Sequence, residues 1–406
     1  MSITVGVLKE TFPGERCVGL VPRTVDVLAK AEMSVLVEPG AGVEAGYSDE
    51  EYTARGATLA PRAEVAQKAD VLVQYRSVGA NPEAGRADLE LLRSGQILIG
   101  LGEPLTALEE DAAVAKTGAS FFALELIPRT TFAQSMDVLS SLATISGYES
   151  VLLAANTLSK LFPMLMTAAG TIKPARVFII GAGVAGLQAI ATAKRLGAIV
   201  SAYDVRDAVK EQIISVGARP ISLDVETGSA EDKGGYAKAM DEAFYKRQRE
   251  LMTEVLKEND VVITTAAVPG KKAPLLITRE MVEAMTPGSC IVDIAAVRGG
   301  NCELTQPDQE VHHNGVTILG PTNFAAMAPH DASQMFSANV ATFLKHLAKF
   351  LPLDEIPEDE VIRETLLTHK GEVVNARVRE ALGLEPLPAP PPKADAQPKE
   401  EGKSDA

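Results

Sequence analysis

Three glycines in one short stretch could bring the backbone against phosphate groups. An apolar run ends at Gly181, and Gly183 and Gly186 follow in the spacing G-x-G-x-x-G ahead of a helix-like segment. Gly181 permits a tight turn, Gly183 lets the backbone approach a pyrophosphate, and Gly186 lets the helix pack closely on the strand. A second apolar run ends on Asp204, which can accept hydrogen bonds from an adenosine 2′-OH. The stretch therefore predicts a dinucleotide site.

The same residues indicate which dinucleotide binds. The pyrophosphate is expected at the positive N-terminal end of the helix that follows the glycines. The carboxylate of Asp204 repels a 2′-phosphate, so it favours NAD(H) over NADP(H). Arg206 lies two residues further on and is close enough to weaken that preference.

A second polar group lies upstream, in the segment from residue 127 to residue 140. Pro128 is expected to form a turn that presents Arg129. Gln134, Asp137 and Ser140 recur at helical spacing, so they share one face at the start of a helix. Two interpretations stay open: these groups surround the reactive end of a cofactor in an interdomain cleft, or they cap a helix and form a surface ion pair.

Groups for acid–base, nucleophilic or metal chemistry are sparse. No Ser–His–Asp or Cys–His arrangement and no metal cluster stands out, so we predict no metal site. His330 is the one histidine expected near a cleft, and we expect it not to be catalytic. His346 is expected on an exposed helix face and His312–His313 before a solvated turn. We expect the cysteines to be buried or free thiols in a reducing compartment; they are Cys17, Cys290 and Cys302.

The elements that must position these residues alternate along the chain. Short apolar runs are separated by amphipathic segments, which predicts an α/β fold of two Rossmann-like, doubly wound parallel-sheet domains joined by long helices. The long helices are predicted over residues 134–162 and 331–351, the second capped by Asp331. The predicted domains are 1–133 plus 331–384, then 134–330, followed by a disordered tail at 385–406. A polar, Gly-rich loop at 224–238 is expected to be functional or disordered.

Charge and hydropathy exclude several classes of protein. The net charge of −15 and the absence of a basic patch argue against nucleic-acid binding. The N-terminus runs directly into a strand pattern without the layout of a signal peptide. Charged residues interrupt the apolar region 138–200, so we expect no transmembrane span there. We therefore expect a cytoplasmic protein.

Several motifs together resemble a known family. They are Arg-x4-Gln-Ser-Met-Asp from Arg129, Thr-Ala-Ala-Gly-Thr from Thr167, the glycine fingerprint with the helix after it, and Gly-Gly-Asn-Cys from Gly299. Between Val5 and Leu382 the sequence is similar to the NAD(H)-binding alpha component of proton-translocating NAD(P) transhydrogenase. That resemblance implies direct hydride transfer from NADH to NADP+ bound on a partner subunit, coupled to proton translocation.

The resemblance also implies roles for individual residues. Arg129, Gln134, Asp137 and Ser140 would hold the dihydronicotinamide and its ribose. The remaining cofactor-binding residues would be Gly181, Ala182, Gly183, Val184 and Gly186 at the pyrophosphate, Asp204, Val205 and Arg206 at the adenosine, Gly235 and Tyr236 on a mobile loop, and Gln248 and Ala267. The expected partners are a second copy of the chain and membrane-embedded subunits that include an NADP(H)-binding domain. The chain would then associate peripherally with the inner membrane through those partners.

Two alternative functions remain. Alanine dehydrogenase shares the fold and the fingerprint, but its Lys and His are missing at Gln74-Tyr75-Arg76 and at Ile99–Gly102, and its catalytic Asp is missing before Gly299. Arg16 alone could still bind a substrate carboxylate. The second alternative is a non-catalytic NADH-binding regulatory subunit, because Glu103, Val297-Arg298 and residues 324–330 depart from the transhydrogenase pattern.

Overall fold

A computed structural model describes residues 3–222, 242–267 and 270–387 of the chain. The predicted loop at 224–238, including Gly235 and Tyr236, lies outside the described residues, as does the tail from residue 388 onward.

Helices and strands alternate through most of the described chain. The helices are α1 (Pro22–Ala29), α2 (Asp49–Thr53), α3 (Arg62–Lys68), α4 (Leu108–Lys116), α5 (Val138–Thr157), α6 (Val184–Arg195), α7 (Lys210–Ser215), α8 (Glu242–Lys257), α9 (Arg279–Glu283), α10 (Pro329–Leu347), α11 (Glu360–Thr365) and α12 (Ala376–Ala381). The strands are β1 (Ile3–Val7), β2 (Met33–Val37), β3 (Thr58–Leu59), β4 (Val71–Arg76), β5 (Ile97–Leu101), β6 (Ser120–Ala123), β7 (Leu165–Thr167), β8 (Gly170–Ile172), β9 (Arg176–Ile180), β10 (Ile199–Tyr203), β11 (Arg219–Pro220), β12 (Val261–Thr264), β13 (Cys290–Asp293), β14 (Glu310–His313), β15 (Val316–Leu319), β16 (Leu366–His369) and β17 (Glu372–Val373).

Two large sheets have the same parallel core order. The first runs β17-β16-β6-β5-β4-β1-β2-β3, and the second runs β11-β10-β9-β12-β13-β15-β14. In each sheet six parallel strands follow the doubly wound order 3-2-1-4-5-6, and an antiparallel strand is added at one edge. The predicted fold class is confirmed. Ligands of such sheets bind outside the carboxyl ends of the strands at the point where the order reverses, here β1/β4 and β9/β12.

The chain returns to the first sheet after completing the second. Strands β16 and β17 follow α10 in the sequence and pair beyond β6. Residues from α10 and α11, such as Phe343 and Ile362, share a buried cluster with Val5 and Val73. Both ends of the chain therefore contribute to one core.

Helix α5 joins the two halves of the molecule, packing against both α6 and α10. Gly147 permits the α6 contact, because a Cβ there would lie 2.1 Å from the carbonyl oxygen of Ala185. By length and composition α5 could cross a membrane, so the expectation that residues 138–200 hold no such span is wrong. The packing gives α5 a place within the fold, although only a third of its apolar window is buried.

Several predicted boundaries are wrong, each for a local reason. The helix expected from residue 134 starts at Val138, because Asp137 caps it, and ends at Thr157, after which Leu158 is extended. Helix α10 starts at Pro329, so Asp331 lies in its first turn and is not its cap. Proline is favoured at the first helical position because it has no N–H to leave unpaired.

His346 is also misplaced by the sequence pattern. It was expected on an exposed face, yet it is 7% exposed and its Nε2 lies 2.9 Å from Oδ1 of Asp359. Lysines at 345 and 349 suggested an outward face, but residue 346 points to the opposite side of the helix, against α11. The three cysteines are buried and free, as predicted.

Candidate functional site

The glycine fingerprint forms the turn between β9 and α6. Gly181 has φ +93°, a conformation that side chains disfavour, and a Cβ there would lie 2.5 Å from Oγ1 of Thr265. That hydroxyl donates to the Gly181 carbonyl oxygen at 3.0 Å, so the turn is tied to the end of β12. The turn thus lies at the reversal point of the second sheet.

Gly183 and Gly186 have opposite surroundings. A Cβ on Gly186 would lie 1.9 Å from the carbonyl oxygen of Gly181, so this glycine allows α6 to pack on the turn. A Cβ on Gly183 would have no atom within 4 Å. Gly183 is the N-cap of α6 and no side chain caps the helix. The open face of Gly183 and the uncapped N-terminus fit a pyrophosphate, as these positions predict.

Asp204 lies directly after β10, beside the fingerprint turn. Its Oδ2 accepts a hydrogen bond from the backbone N–H of Ala182 at 2.8 Å. Its Oδ1 accepts from the backbone N–H and the Nε of Arg206, both at 2.9 Å, and Nη2 of Arg206 lies 2.8 Å from Oδ2. Arg206 therefore neutralises and orients the carboxylate, which weakens its repulsion of a 2′-phosphate. Val205 is partly buried between them.

Gln248 is buried on α8 next to the end of β10. Its Nε2 donates to the hydroxyl of Tyr203 at 3.0 Å, one residue before Asp204. Its Oε1 has no partner among the described residues. Burial raises the pKa of the Tyr203 phenol, so this pair stays uncharged at neutral pH. Gln248 therefore lies on the adenosine side of the candidate site.

A polar network that the sequence did not single out holds the end of β12. Asn301 is fully buried; its Oδ1 accepts from the Ala266 N–H at 3.1 Å, and its Nδ2 donates to the Ala266 carbonyl oxygen at 2.8 Å. Buried Asp293 in turn accepts from the Asn301 N–H at 2.7 Å and from the hydroxyls of Thr264 and Thr305. The network positions Ala266 and the exposed Ala267 beside the fingerprint. Only the Gly-Gly-Asn motif signalled it.

The segment carrying the second predicted group is anchored from below. Met136 is buried in the first core, and Asn339 on α10 donates to the Ser135 carbonyl oxygen at 2.9 Å. Asp137 is the N-cap of α5: Oδ1 accepts from the Ser140 N–H at 2.9 Å and Oδ2 from the Ser140 hydroxyl at 2.6 Å. Arg129 and Gln134 are exposed. The capping interpretation of Asp137 is therefore realised, and it leaves the cofactor role untested.

Helix α5 relates this segment to the fingerprint. Gly147 touches Ala185 in the first turn of α6, and Ser140 lies seven residues before Gly147. At 1.5 Å per residue, Ser140 is about 10 Å further along α5 than that contact. The structure therefore brings Asp137 and Ser140 to the same side of the molecule as the N-terminus of α6.

Proton-transfer groups are not among these contacts. The ring of His330 stacks on Tyr47 at 4.5 Å, His346 binds Asp359, and His369 bonds to Ser120. No group of three or more His, Cys, Asp or Glu within the described ranges could hold a metal ion. The chemistry available here is orientation and exclusion of water.

Comparison with known proteins was made on this basis. The description "Alanine dehydrogenase/PNT, N-terminal domain" matches residues 6–146, and "Alanine dehydrogenase/PNT, C-terminal domain" matches residues 150–376. The chain is 44% identical over 375 residues to the first of the separate chains that make up NAD(P) transhydrogenase subunit alpha in Rhodospirillum rubrum. The match covers 91% of this chain and 97% of that protein.

Solved structures give the same order of similarity. The crystal structure of transhydrogenase from Sinorhizobium meliloti matches with a TM-score of 0.81 and 41% identity, covering 91% of this chain and all of that one. An L-alanine dehydrogenase structure matches with a TM-score of 0.78 and 25% identity over 94% of this chain and 99% of that one. The two alternatives thus share the fold, and the transhydrogenase is the nearer in sequence.

Proposed function

The chain belongs to the alanine dehydrogenase/PNT family, and we propose that it is the NAD(H)-binding subunit of a proton-translocating NAD(P) transhydrogenase. In this role it passes hydride from NADH to NADP+ held by a partner subunit. One observation carries the choice within the family: the positions where a dehydrogenase needs proton-transfer groups cannot supply them.

Those positions lie at the ends of β4 and β5. Gln74 is buried and donates to Asp88 at 2.7 Å, and Tyr75 is buried against Phe336. Gly100 has no room for a side chain, because a Cβ there would lie 2.5 Å from the carbonyl oxygen of Gln74. Oxidising an amine to an imine requires groups that take up and release protons. These contacts therefore favour transhydrogenase over alanine dehydrogenase.

Hydride transfer between two nicotinamides needs orientation more than acid–base catalysis. When bound, NAD(H) supplies the transferable hydride. We infer that Gly181, Gly183 and the N-terminus of α6 hold its pyrophosphate, with Asp204 and Arg206 on the adenosine side. Arg129 and Gln134 are exposed on the other side, where their side chains can turn toward the ring.

Asp137 contributes to this arrangement through its cap. The cap fixes Ser140 and the start of α5, which continues to the N-terminus of α6. Asp137 therefore positions Ser140 and Gln134 relative to the pyrophosphate end of the site, whether or not it also touches the ribose.

The subunit is proposed to act as a homodimer. Strands β7 and β8 form a two-stranded hairpin separate from both large sheets, and every residue in them is exposed. Such a hairpin is marginal on its own. Its apolar residues include Met166, which is 79% exposed, and α5 also presents Tyr148 at 41%. We infer that a second copy covers these surfaces. Met166→Asp should convert a dimer to a monomer in analytical ultracentrifugation, and a monomeric wild type would contradict the proposal.

Further partners are proposed from the relatives. The Rhodospirillum rubrum protein is named as one portion of a subunit alpha, which implies additional chains in the complex. We infer that these include a membrane-embedded proton path and an NADP(H)-binding domain, and that this chain is cytoplasmic and attached to the inner membrane through them.

The direct test combines the purified chain with an NADP(H)-binding partner domain. An NAD+ analogue with shifted absorbance should be reduced at the expense of NADPH only when both proteins are present. Tight NADH binding without reduction would favour the regulatory alternative. Ammonia-dependent reduction of pyruvate by this chain alone would restore alanine dehydrogenase.

A further inference from the structure

A loop of the first half of the molecule reaches the second half opposite the fingerprint. We call residues 102–107, which follow β5, the latch loop. Oε2 of Glu103 forms an ion pair with Nη2 of Arg298, and Nη1 of Arg298 donates to Oγ1 of Thr106 at 3.2 Å. The two charged side chains are 34% and 26% exposed, so water screens the pair only in part.

The latch loop is held in an unfavourable conformation. Glu103 has φ +52°, which residues with a Cβ seldom adopt. Oε1 of Glu125 accepts hydrogen bonds from the N–H groups of Gly102 and Glu103, both at 2.8 Å. Gly79 allows the loop to approach, since a Cβ there would lie 1.9 Å from the Gly102 carbonyl oxygen. Strain that the surroundings over-determine in this way is concentrated at functional sites.

The other end of the ion pair is attached to the candidate cofactor site. Arg298 ends the 3-10 turn Ile294–Arg298 that follows β13, and its carbonyl oxygen accepts from the Ala273 N–H at 2.9 Å. Three residues later Asn301 holds Ala266 by both its N–H and its carbonyl oxygen. Movement of Arg298 is therefore transmitted to the end of β12, beside the fingerprint turn.

We propose that the ion pair between Glu103 and Arg298 is an interdomain latch that keeps the crevice between the two sheets closed over bound NAD(H). Both partners follow the carboxyl ends of central strands, β5 and β13, where the two sheets face the crevice. The latch acts by position and takes no part in the chemistry. This inference rests on the proposed NAD(H) site, because closure matters only if the cofactor lies there.

The latch must be distinguished from an ordinary surface ion pair, which has little effect when broken. A suitable comparison is the pair formed by Arg55 and Asp26, whose side chains are 43% and 44% exposed. Both of its members lie in the first half of the molecule, at α1 and after α2, and the pair does not cross the crevice. Asp26→Asn therefore removes one charge without touching the latch.

The experiment measures association and dissociation of NADH by stopped-flow fluorescence. Glu103→Gln and Arg298→Gln should each raise the dissociation rate constant about two- to fivefold, the range for one partly exposed ion pair. The charge swap Glu103→Arg with Arg298→Glu should return it to within about twofold of wild type. High salt should speed dissociation from the wild type and leave both single variants unchanged. Asp26→Asn should behave as wild type.

The outcomes separate this inference from the proposed function. No NADH binding by the wild type would remove the proposed cofactor site itself. Normal binding, with dissociation unchanged in both single variants, would overturn the latch alone. A charge swap no slower than the single variants would overturn the ion-pair explanation. Thermal unfolding of each variant, expected within a few degrees of wild type, excludes misfolding as the cause.

Discussion

The two non-turn glycines of the fingerprint should respond oppositely to the same one-methyl change. Gly183 has φ −75° and ψ −164°, extended values that alanine adopts freely, and a methyl there would meet nothing within 4 Å. A methyl on Gly186 would lie 1.9 Å from a backbone oxygen that cannot rotate away. Gly183→Ala should therefore impair the site, and Gly186→Ala should impair the fold.

The magnitudes follow from these surroundings. For Gly183→Ala, the loss of a glycine N-cap costs about 0.5 kcal/mol, and the reduced freedom of the unfolded chain returns a similar amount. Stability should thus stay within about 0.5 kcal/mol, while a methyl facing the pyrophosphate should weaken NADH binding by at least about tenfold, roughly 1.4 kcal/mol. Gly186→Ala must displace α6 from the turn, at a cost of about 3 kcal/mol.

Two assays on the same samples test the contrast. Urea unfolding gives the free energy of unfolding, and fluorescence titration gives the dissociation constant for NADH. Wild-type affinity in Gly183→Ala would refute the assignment of its open face to the cofactor. Wild-type stability in Gly186→Ala would refute the close packing of α6 on the turn.

Three further substitutions probe other regions of the molecule. Asp137→Asn keeps the size of the cap but weakens its hydrogen bonds, so hydride transfer should slow by about tenfold or more while NADH affinity changes less than about threefold; a large loss of affinity with unchanged turnover would contradict the positioning role. Asn301→Ala leaves Ala266 without buried partners and should cost about 1–3 kcal/mol of stability and weaken NADH binding, by urea unfolding and titration; unchanged affinity would remove Asn301 from the site. Burial, with a smaller contribution from the charge of Glu125, raises the pKa of Asp111 to about 8, so the folded state retains a proton that the unfolded chain loses near pH 4. Stability should therefore fall as pH rises from about 4 to about 8, and Asp111→Asn should reduce that slope by up to about 1.4 kcal/mol per pH unit, whereas Glu109→Gln, on the same helix, should leave it unchanged.

The sequence predicted the core strands well because of their burial. Strands such as β9 and β12 are covered on both faces and read as continuous apolar runs bounded by turn residues. The antiparallel additions were missed for the opposite reason. Strands β14 and β17 are short and largely exposed, and β11 contains only two residues, so their composition carries little signal.

Helix ends were less predictable than helices. Asp137 and Asp331 both precede apolar helical patterns, yet only Asp137 is a cap. The difference lies in Pro329, which starts α10 two residues before Asp331. His346 shows the same limit, since its burial depends on Asp359 beside a different helix.

The candidate site divides in the same way. The fingerprint could be identified because its glycines are close in sequence and each has a local geometric reason. The network of Asp293 and Asn301 and the ion pair of Glu103 and Arg298 are contacts between separate segments. Glu103 and Arg298 both fall where the sequence departs from the transhydrogenase pattern, and the structure pairs these two departures with each other.

Domain boundaries and cofactor roles stay predictions. The expected boundary near residue 133 lies between β6 and α5, and the expected return at residue 331 lies within the first turn of α10. Limited proteolysis in the presence and absence of NADH would report whether residues 224–238, which lie outside the described structure, are protected by the cofactor.

The central claim is that hydride passes directly between two nicotinamides with no proton-transfer group at the reacting carbon. The most direct measurement uses NADH deuterated at the transferred position, together with the NADP(H)-binding partner and excess NADP+, in ordinary water. The account predicts that the deuterium is recovered in NADPH without loss to solvent. NADPH formed without the label, or label that appears only in alanine when ammonia and pyruvate are added, would contradict it.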